Sequence, residues 1–258
     1  MISIVVLCAI FAPLLSPGDP LRLAGPPRQW PFQIAQYPLG TDLLGRDILA
    51  MLIYGARVSL TIGIVASIVS TLIGLSIGAL SGYYGGWIND ILMRVTEIFQ
   101  TIPSFLFALV LVTILGSSLA SITVAISVVT WPACARLIRA EFLSLRERDF
   151  ILSCHAIGMG DLRIIVAQML PNALPPIIVL SSVTVAIAIL TEAALSFLGL
   201  GDPNVPSWGS IIGAGRDVLR SDWYIALLPG LAILLTVLSI NMVGEGLNDA
   251  LNPRLKER

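Results

Sequence analysis

Four stretches of this 258-residue chain run for more than twenty residues without a charged side chain. That feature removes most of the folds open to it, because a helix needs roughly 20 apolar residues to cross the hydrocarbon core of a bilayer. The first stretch lies between Arg57 and Asp90, and Val58 to Leu80 within it is apolar enough to span. The second, 98–135, would be roughly 57 Å long as one helix, far more than a single crossing needs. Gly116-Ser117-Ser118 divides it into two predicted helices joined by a tight turn. The third, 164–191, opens with Pro171, Pro175 and Pro176, and the fourth is 223–244. Met1 to Leu15 is apolar but short. No Lys or Arg precedes it and no small-x-small cleavage site follows it, so it reads as a sixth membrane helix rather than a signal peptide. Its clipped length places the expected native start upstream of Met1.

Composition agrees. Only 12% of residues are charged and 56% are hydrophobic, with a mean hydropathy of +0.91. A soluble domain carries about 25% charged residues. The net charge of −1 gives no basic excess for nucleic acid. Cys8, Cys134 and Cys154 are far apart and form no CxxC pair, so they read as small buried hydrophobes rather than a disulfide or metal site. The expected fold class is therefore an all-α membrane protein with six transmembrane helices.

Lys and Arg in the connections set the orientation. With both termini cytoplasmic, the inside segments hold Arg94, Arg136, Arg139, Arg146, Arg148, Arg163, Arg254, Lys256 and Arg258. The longer outside segments hold only Arg22, Arg28, Arg46, Arg57, Arg216 and Arg220. Trp30, Trp208 and Trp223 fall in or beside these outer segments, where they suit an aromatic belt or a docking surface.

The longest inside connection is 136–171. After Arg146-Glu147-Arg148-Asp149, the residues Phe150, Cys154 and Ile157 recur at helical spacing, and Ile151 widens the stripe. Gly158 and Gly160 stop that helix. A second short helix is predicted from Asp161, as N-cap or first-turn acid, to Met169, ending before Pro171. The apolar face of the first helix can rest on headgroups or on the protein's own helix ends, or it can insert into a groove of a soluble partner.

Here the chain resembles a known family. The loop is similar to the cytoplasmic "EAA" loop of binding-protein-dependent ABC importer permeases: Gly158 and Leu170-Pro171 match in spacing, while Leu152 stands at the Glu position and Ser153-Cys154 at the Ala pair. Other segments are more specific. Leu39-Gly40-Thr41-Asp42 with Leu44-Gly45-Arg46-Asp47 resembles the "LGTDxLGRD" signature of the second, C-type permease subunit of dipeptide, oligopeptide and nickel importers. Glu192 to Gly201 with Pro206-Ser207-Trp208-Gly209 resembles the same group's "EAxLSFLGLG…PSWG" stretch. Pro229-Gly230-Leu231 and the tail from Gly244 to Arg254 match its last helix and C-terminus.

The resemblance implies a type I ABC importer permease fold. It implies a first helix and external loop over 1–56, a permease domain over 57–246 with the EAA loop at 136–171, and a cytoplasmic tail over 247–258. It implies a heterodimer with a homologous second permease and two cytoplasmic ATPase subunits. A periplasmic or lipid-anchored binding protein would deliver substrate. ATP and Mg would sit on the ATPases, with no cofactor, metal or catalytic residue in this chain. Phe150, Ile151, Cys154, Ile157, Gly158 and Asp161 become the expected ATPase-docking residues. Asp42, Arg46, Asp47 and Trp208 become candidate binding-protein contacts, with helix capping and loop shaping as the competing role for the three charged ones. Glu192, an acid near the outer end of the fifth helix, fits either a substrate pathway or a packing hydrogen bond. His155 reads as a polar flank of the docking helix rather than a metal ligand. Gly74 and Gly78 are spaced for close helix contact.

The expected cargo is a di- or oligopeptide, with nickel, opine, glutathione or oligosaccharide as alternatives for the same architecture. An ion-coupled secondary transporter is the distant rival, but it would show internal repeats and acids at mid-helix. An intramembrane enzyme would need a nucleophile and base, or an HExxH pair. The one lysine, Lys256, precedes Glu257, so no Walker A motif is present and ATP hydrolysis must come from partner subunits.

Overall fold

In lipid every backbone polar group must be satisfied within the chain. The computed structural model, which describes residues 1–251, meets this with helices in its long apolar runs. Two short helices, α1 (Ile2–Ile10) and α2 (Ala12–Leu15), precede a long irregular segment. α3 (Ile48–Tyr84) then runs for 37 residues, roughly 55 Å. α4 (Gly86–Thr101) and α5 (Ser104–Leu115) meet at 81°, and α6 (Leu119–Arg146) follows. α7 (Asp149–Ala156) and α8 (Asp161–Ile164) lead through a π-helical stretch, Ile165–Met169, into α9 (Leu170–Leu195). A second π-helical stretch, Ser196–Leu200, leads to α10 (Trp208–Gly215), and α11 (Tyr224–Leu251) completes the described chain.

Four of these units are long and apolar enough to cross a membrane: α3, α6, the run 161–200, and α11; the bent pair α4–α5 would make a fifth. A sixth span is not found by length and composition among the described residues. α1 has nine residues, short of a crossing. The expected helix before Gly116 is cut to twelve residues because Pro103 ends α4. The helix expected to stop before Pro171 instead continues through it. Proline costs a helix its hydrogen bond to the residue four back. Here the wider π-helical turn immediately before α9 already departs from that pattern. The tail expected at 247–258 begins as part of α11, and the motif residues Asn252, Pro253 and Arg254, like the cations Lys256 and Arg258, lie outside the described residues.

α3 is the axis. It packs against α6 along most of its length and against α9 on another side. The close approach to α6 depends on Gly74, Gly78 and Gly82. A Cβ at Gly78 would stand 2.6 Å from the Ala135 carbonyl oxygen, and one at Gly74 would stand 2.5 Å from Cys134 Cβ. Three apolar clusters follow one another along α3: Ile48, Met51 and Leu60 with Trp208 and Tyr224; Ile62 and Ala66 with Ile122 and Ile126; Ala79 and Tyr83 with Ile138 and Phe142. Leu72 on α3 and Leu234 and Leu238 on α11 remain exposed, as a lipid-facing surface requires. The end carrying α7 is called the inner end, after the Lys/Arg bias.

Candidate functional site

At the inner end the sequence builds a short helix and then holds it. Arg148 flanks α7, Asp149 sits in its first turn where the helix dipole favours an acid, and Gly158 ends it with φ +74°. The Gly158 N–H donates to the His155 carbonyl and the Met159 N–H to the Cys154 carbonyl, the paired bonds of a Schellman stop. Ile151 is fully buried against Phe142, Leu145, Ile164 and Met169, and Cys154 packs on the same cluster. The expectation of one apolar face through Phe150, Ile151, Cys154 and Ile157 is therefore corrected. Burial of apolar area splits the helix, so that Ile151 and Cys154 anchor it to its own chain. Phe150, Leu152 and Ile157 point outward, with Ile157 76% exposed, and Leu162 beyond the turn is 75% exposed.

Asp161 is exposed, yet it too is tied to the chain. Its carboxylate accepts from the Tyr83 hydroxyl at 2.7 Å, and the His155 ring stacks on Tyr83 with centroids 6.0 Å apart. The α7–α8 turn is thus clamped to the inner end of α3. Leu152 and Leu162 were missed in the sequence because their spacing crosses the glycine turn. Their outward position is set by tertiary packing and not by helical period.

The outer end is constructed differently. The Thr41 hydroxyl donates to the Pro26 carbonyl at 2.6 Å, and the Tyr224 hydroxyl donates to the Thr41 carbonyl at 3.0 Å. Asp42 is 5% exposed, and its Oδ1 accepts the backbone N–H groups of Leu44 and Arg46, both at 2.8 Å. Asp47 caps α3 by accepting from the Leu49 N–H at 2.9 Å. Burial pushes its carboxyl up, while the N–H groups of Leu49 and Ala50 pull it back. Gly45 has φ +80°, and a Cβ there would lie 2.2 Å from the Gly25 carbonyl oxygen. Arg28 pairs with Asp222, tying the loop to the entry of α11. Trp208 is 2% exposed and donates its indole N–H to the Leu52 carbonyl at 3.0 Å. Ser207 and Ser210 close a capping box in front of α10.

Asp42 and Trp208 therefore offer no surface to a binding protein, which corrects that expectation. Both are used inside the chain, and Asp47 is spent on its cap. Arg46 differs. Its buried Nε has no partner among the described residues, and it edges a cavity of about 130 Å³ shared with Asp42 and Asp202.

Between the two ends, Glu192 is fully buried. It accepts from the Ser59 hydroxyl of α3 at 2.8 Å and the Ser196 hydroxyl at 2.7 Å. The two bonds satisfy the carboxyl, and the one from Ser59 pins α9 to α3. The structure brings Glu192 to no other candidate residue.

Comparison with known proteins bears on family and fold. The sequence profile described as "Binding-protein-dependent transport system inner membrane component" matches residues 74–257. The di/tripeptide transport system permease protein DppC of Pseudomonas aeruginosa is 41% identical over 259 residues, covering 98% of this chain and 86% of the relative. The dipeptide permease DppC of Haemophilus influenzae is 40% identical, covering 99% and 89%. The glutathione transport system permease protein GsiD of Pectobacterium atrosepticum is 41% identical, covering 84% and 73%. Among solved structures, an inward-facing MetNI methionine ABC transporter superimposes with a TM-score of 0.67 at 20% identity, covering 80% of this chain and 98% of that one; it bears on the fold alone. With the profile matching from Gly74, late in α3, onward and relatives about 40% identical over nearly all of this chain, the chain belongs to the family of inner-membrane components of binding-protein-dependent transport systems.

Proposed function

We propose that the chain is the second permease subunit of an ATP-driven peptide importer. A homologous permease would sit beside it, two ATPases on its inner face, and a periplasmic or lipid-anchored binding protein on its outer face. ATP and Mg belong to the ATPases in this reading, and the chain itself has no catalytic residue. The observation that carries it is α7. A helix fixed on one side by Ile151, Cys154 and the Asp161–Tyr83 bond presents Phe150, Leu152 and Ile157 outward, the form of a peg for a partner's groove. Because Leu152 stands where the family has Glu, docking at that position rests on apolar contact. Gly158 fixes the turn behind the peg. ATP-driven closure of the ATPases would move this peg and switch the permease pair between inward-open and outward-open states.

The names of the relatives favour di- and tripeptides as cargo, and one of them favours glutathione as a second reading. The test is purification of the tagged chain in mild detergent, followed by ATPase assay with candidate binding proteins loaded with dipeptide, glutathione or nickel. Co-purification of a second permease and Walker A ATPases, with stimulation by the dipeptide-loaded protein, is the expected result. A chain that purifies alone or as a homodimer, without ATPase activity, contradicts the reading.

A further inference from the structure

The inner half of the bundle holds a polar cavity used by neither the peg nor the outer cap. It begins with α4, which has three faces. Ile88, Leu92, Thr96 and Phe99 turn toward the bundle, and the Phe99 ring meets Trp131 of α6. Trp87, Ile91, Val95 and Ile98 form an exposed apolar stripe. Asp90, Arg94 and Glu97 form an exposed polar edge beside it. The 81° bend to α5 means that both helices cannot run along the membrane normal. An amphipathic helix turned away from the normal lies in the interfacial layer, with its apolar stripe in the acyl boundary.

The polar edge of α4 and the facing side of α6 enclose an open cavity of about 740 Å³, walled by Asn89, Asp90, Arg94, Glu97, Arg136 and Arg139. Arg139 donates to the Asn89 side-chain oxygen, which also accepts from the Ser81 hydroxyl at 2.9 Å. Arg136 donates to the Gln100 side-chain oxygen at 2.9 Å. Both partners are neutral amides, so they orient the guanidinium groups without cancelling their charge. Among the described residues neither arginine makes an ion pair, whereas Arg94 pairs with Glu97 at 3.3 Å. With that pair set aside, Arg136 and Arg139 face Asp90 alone, and the cavity carries a net positive charge.

We propose that this cavity binds the phosphate of an anionic phospholipid, with the acyl chains lying along Trp87, Ile91, Val95 and Ile98. Planar guanidinium groups suit a phosphate's oxygens. Basic pockets between membrane helices are where such headgroups seat. A free anion would satisfy the arginines but leave the stripe unused; an amphiphile matches both features of one helix. The inference rests on the membrane location and does not depend on the cargo.

The test uses the intact complex purified through this chain and stripped of lipid in mild detergent. Native mass spectrometry would follow titration with phosphatidylglycerol, with phosphatidylcholine of the same chains, and with inorganic phosphate. Phosphatidylglycerol should be retained in preference to phosphatidylcholine, and Arg136→Gln/Arg139→Gln should weaken its binding by roughly tenfold or more. Arg136→Lys/Arg139→Lys keeps the charge but loses the planar fork, so it should bind more weakly than the wild type and more tightly than the Gln variant, and millimolar phosphate should not displace the lipid from the wild type. Trp87→Ser should weaken the lipid several-fold with both arginines intact. Equal retention of the two lipids by the wild type, full retention by the Gln variant, or displacement by phosphate alone would overturn the proposal. If the Gln variant fails to assemble, the wild-type lipid preference and the Trp87→Ser variant still decide it.

Discussion

The inner and outer ends of this permease use the same kinds of residue for opposite purposes. At the outer end, the chain's most recognisable motifs are consumed internally: Asp42 holds its own loop, Asp47 caps α3, and Trp208 is buried with its indole N–H satisfied. At the inner end a weaker motif leaves large apolar side chains in the open, at Leu152, Ile157 and Leu162. A distinctive sequence signature therefore marks self-structure on one side, and an undistinguished loop offers the free surface on the other. The difference follows from what each end must do. A cap over helix ends has many backbone groups to satisfy, and that demands particular residues. A peg of the kind proposed for α7 needs only apolar area and a rigid mount.

The largest effect expected from breaking this contrast is at Trp208. Trp208→Ala should cost about 3–5 kcal/mol and collapse the outer cap. Fluorescence-detected size exclusion would show loss of the folded peak, and a normal peak would mean that Trp208 is dispensable to the cap. Next comes the mount of the peg: Ile151→Ala should cost about 2–4 kcal/mol and lower the melting temperature. If it left stability untouched and removed only partner binding, Ile151 would belong to the docking face after all.

Glu192 lies between the two ends and belongs to neither. Glu192→Ala leaves the Ser59 and Ser196 hydroxyls without their acceptor and opens a small cavity, for about 2 kcal/mol. Glu192→Gln keeps an acceptor and the shape, and should stay within about 0.5 kcal/mol with uptake retained. Loss of uptake by a stably folded Glu192→Gln would assign Glu192 to the substrate path. The smallest effect belongs to the α3 cap. Asp47→Ala should cost about 1 kcal/mol, and Asp47→Asn should recover most of it in a thermal melt.

Much of this was legible in the sequence, for physical reasons. Uncharged runs located α3, α6, α9 and α11, because lipid tolerates almost nothing else in a crossing. Gly116-Ser117-Ser118 marked the turn before α6, and the small residues at Gly74 and Gly78 marked the α3–α6 contact. The α4–α5 bend was missed. It falls at Ile102-Pro103, inside the uncharged run 98–135, where the lack of charge reads as one continuous segment. The continuation of α9 through Pro171 was missed because a π-helical turn has no compositional mark. At the candidate site, periodicity found the helix α7 but not which side of it packs on the chain. Which of Ile151 and Ile157 is buried depends on Phe142, Ile164 and Met169 arriving from elsewhere in the chain.

In the proposed function α7 meets an ATPase through its outward face, and co-purification of the tagged chain carrying Ile157→Asp decides whether it does. Ile157 is exposed, so the variant should fold, reach the membrane and keep the second permease while losing the ATPase subunits and uptake. Retention of the ATPases at the wild-type ratio, with uptake intact, would contradict the claim.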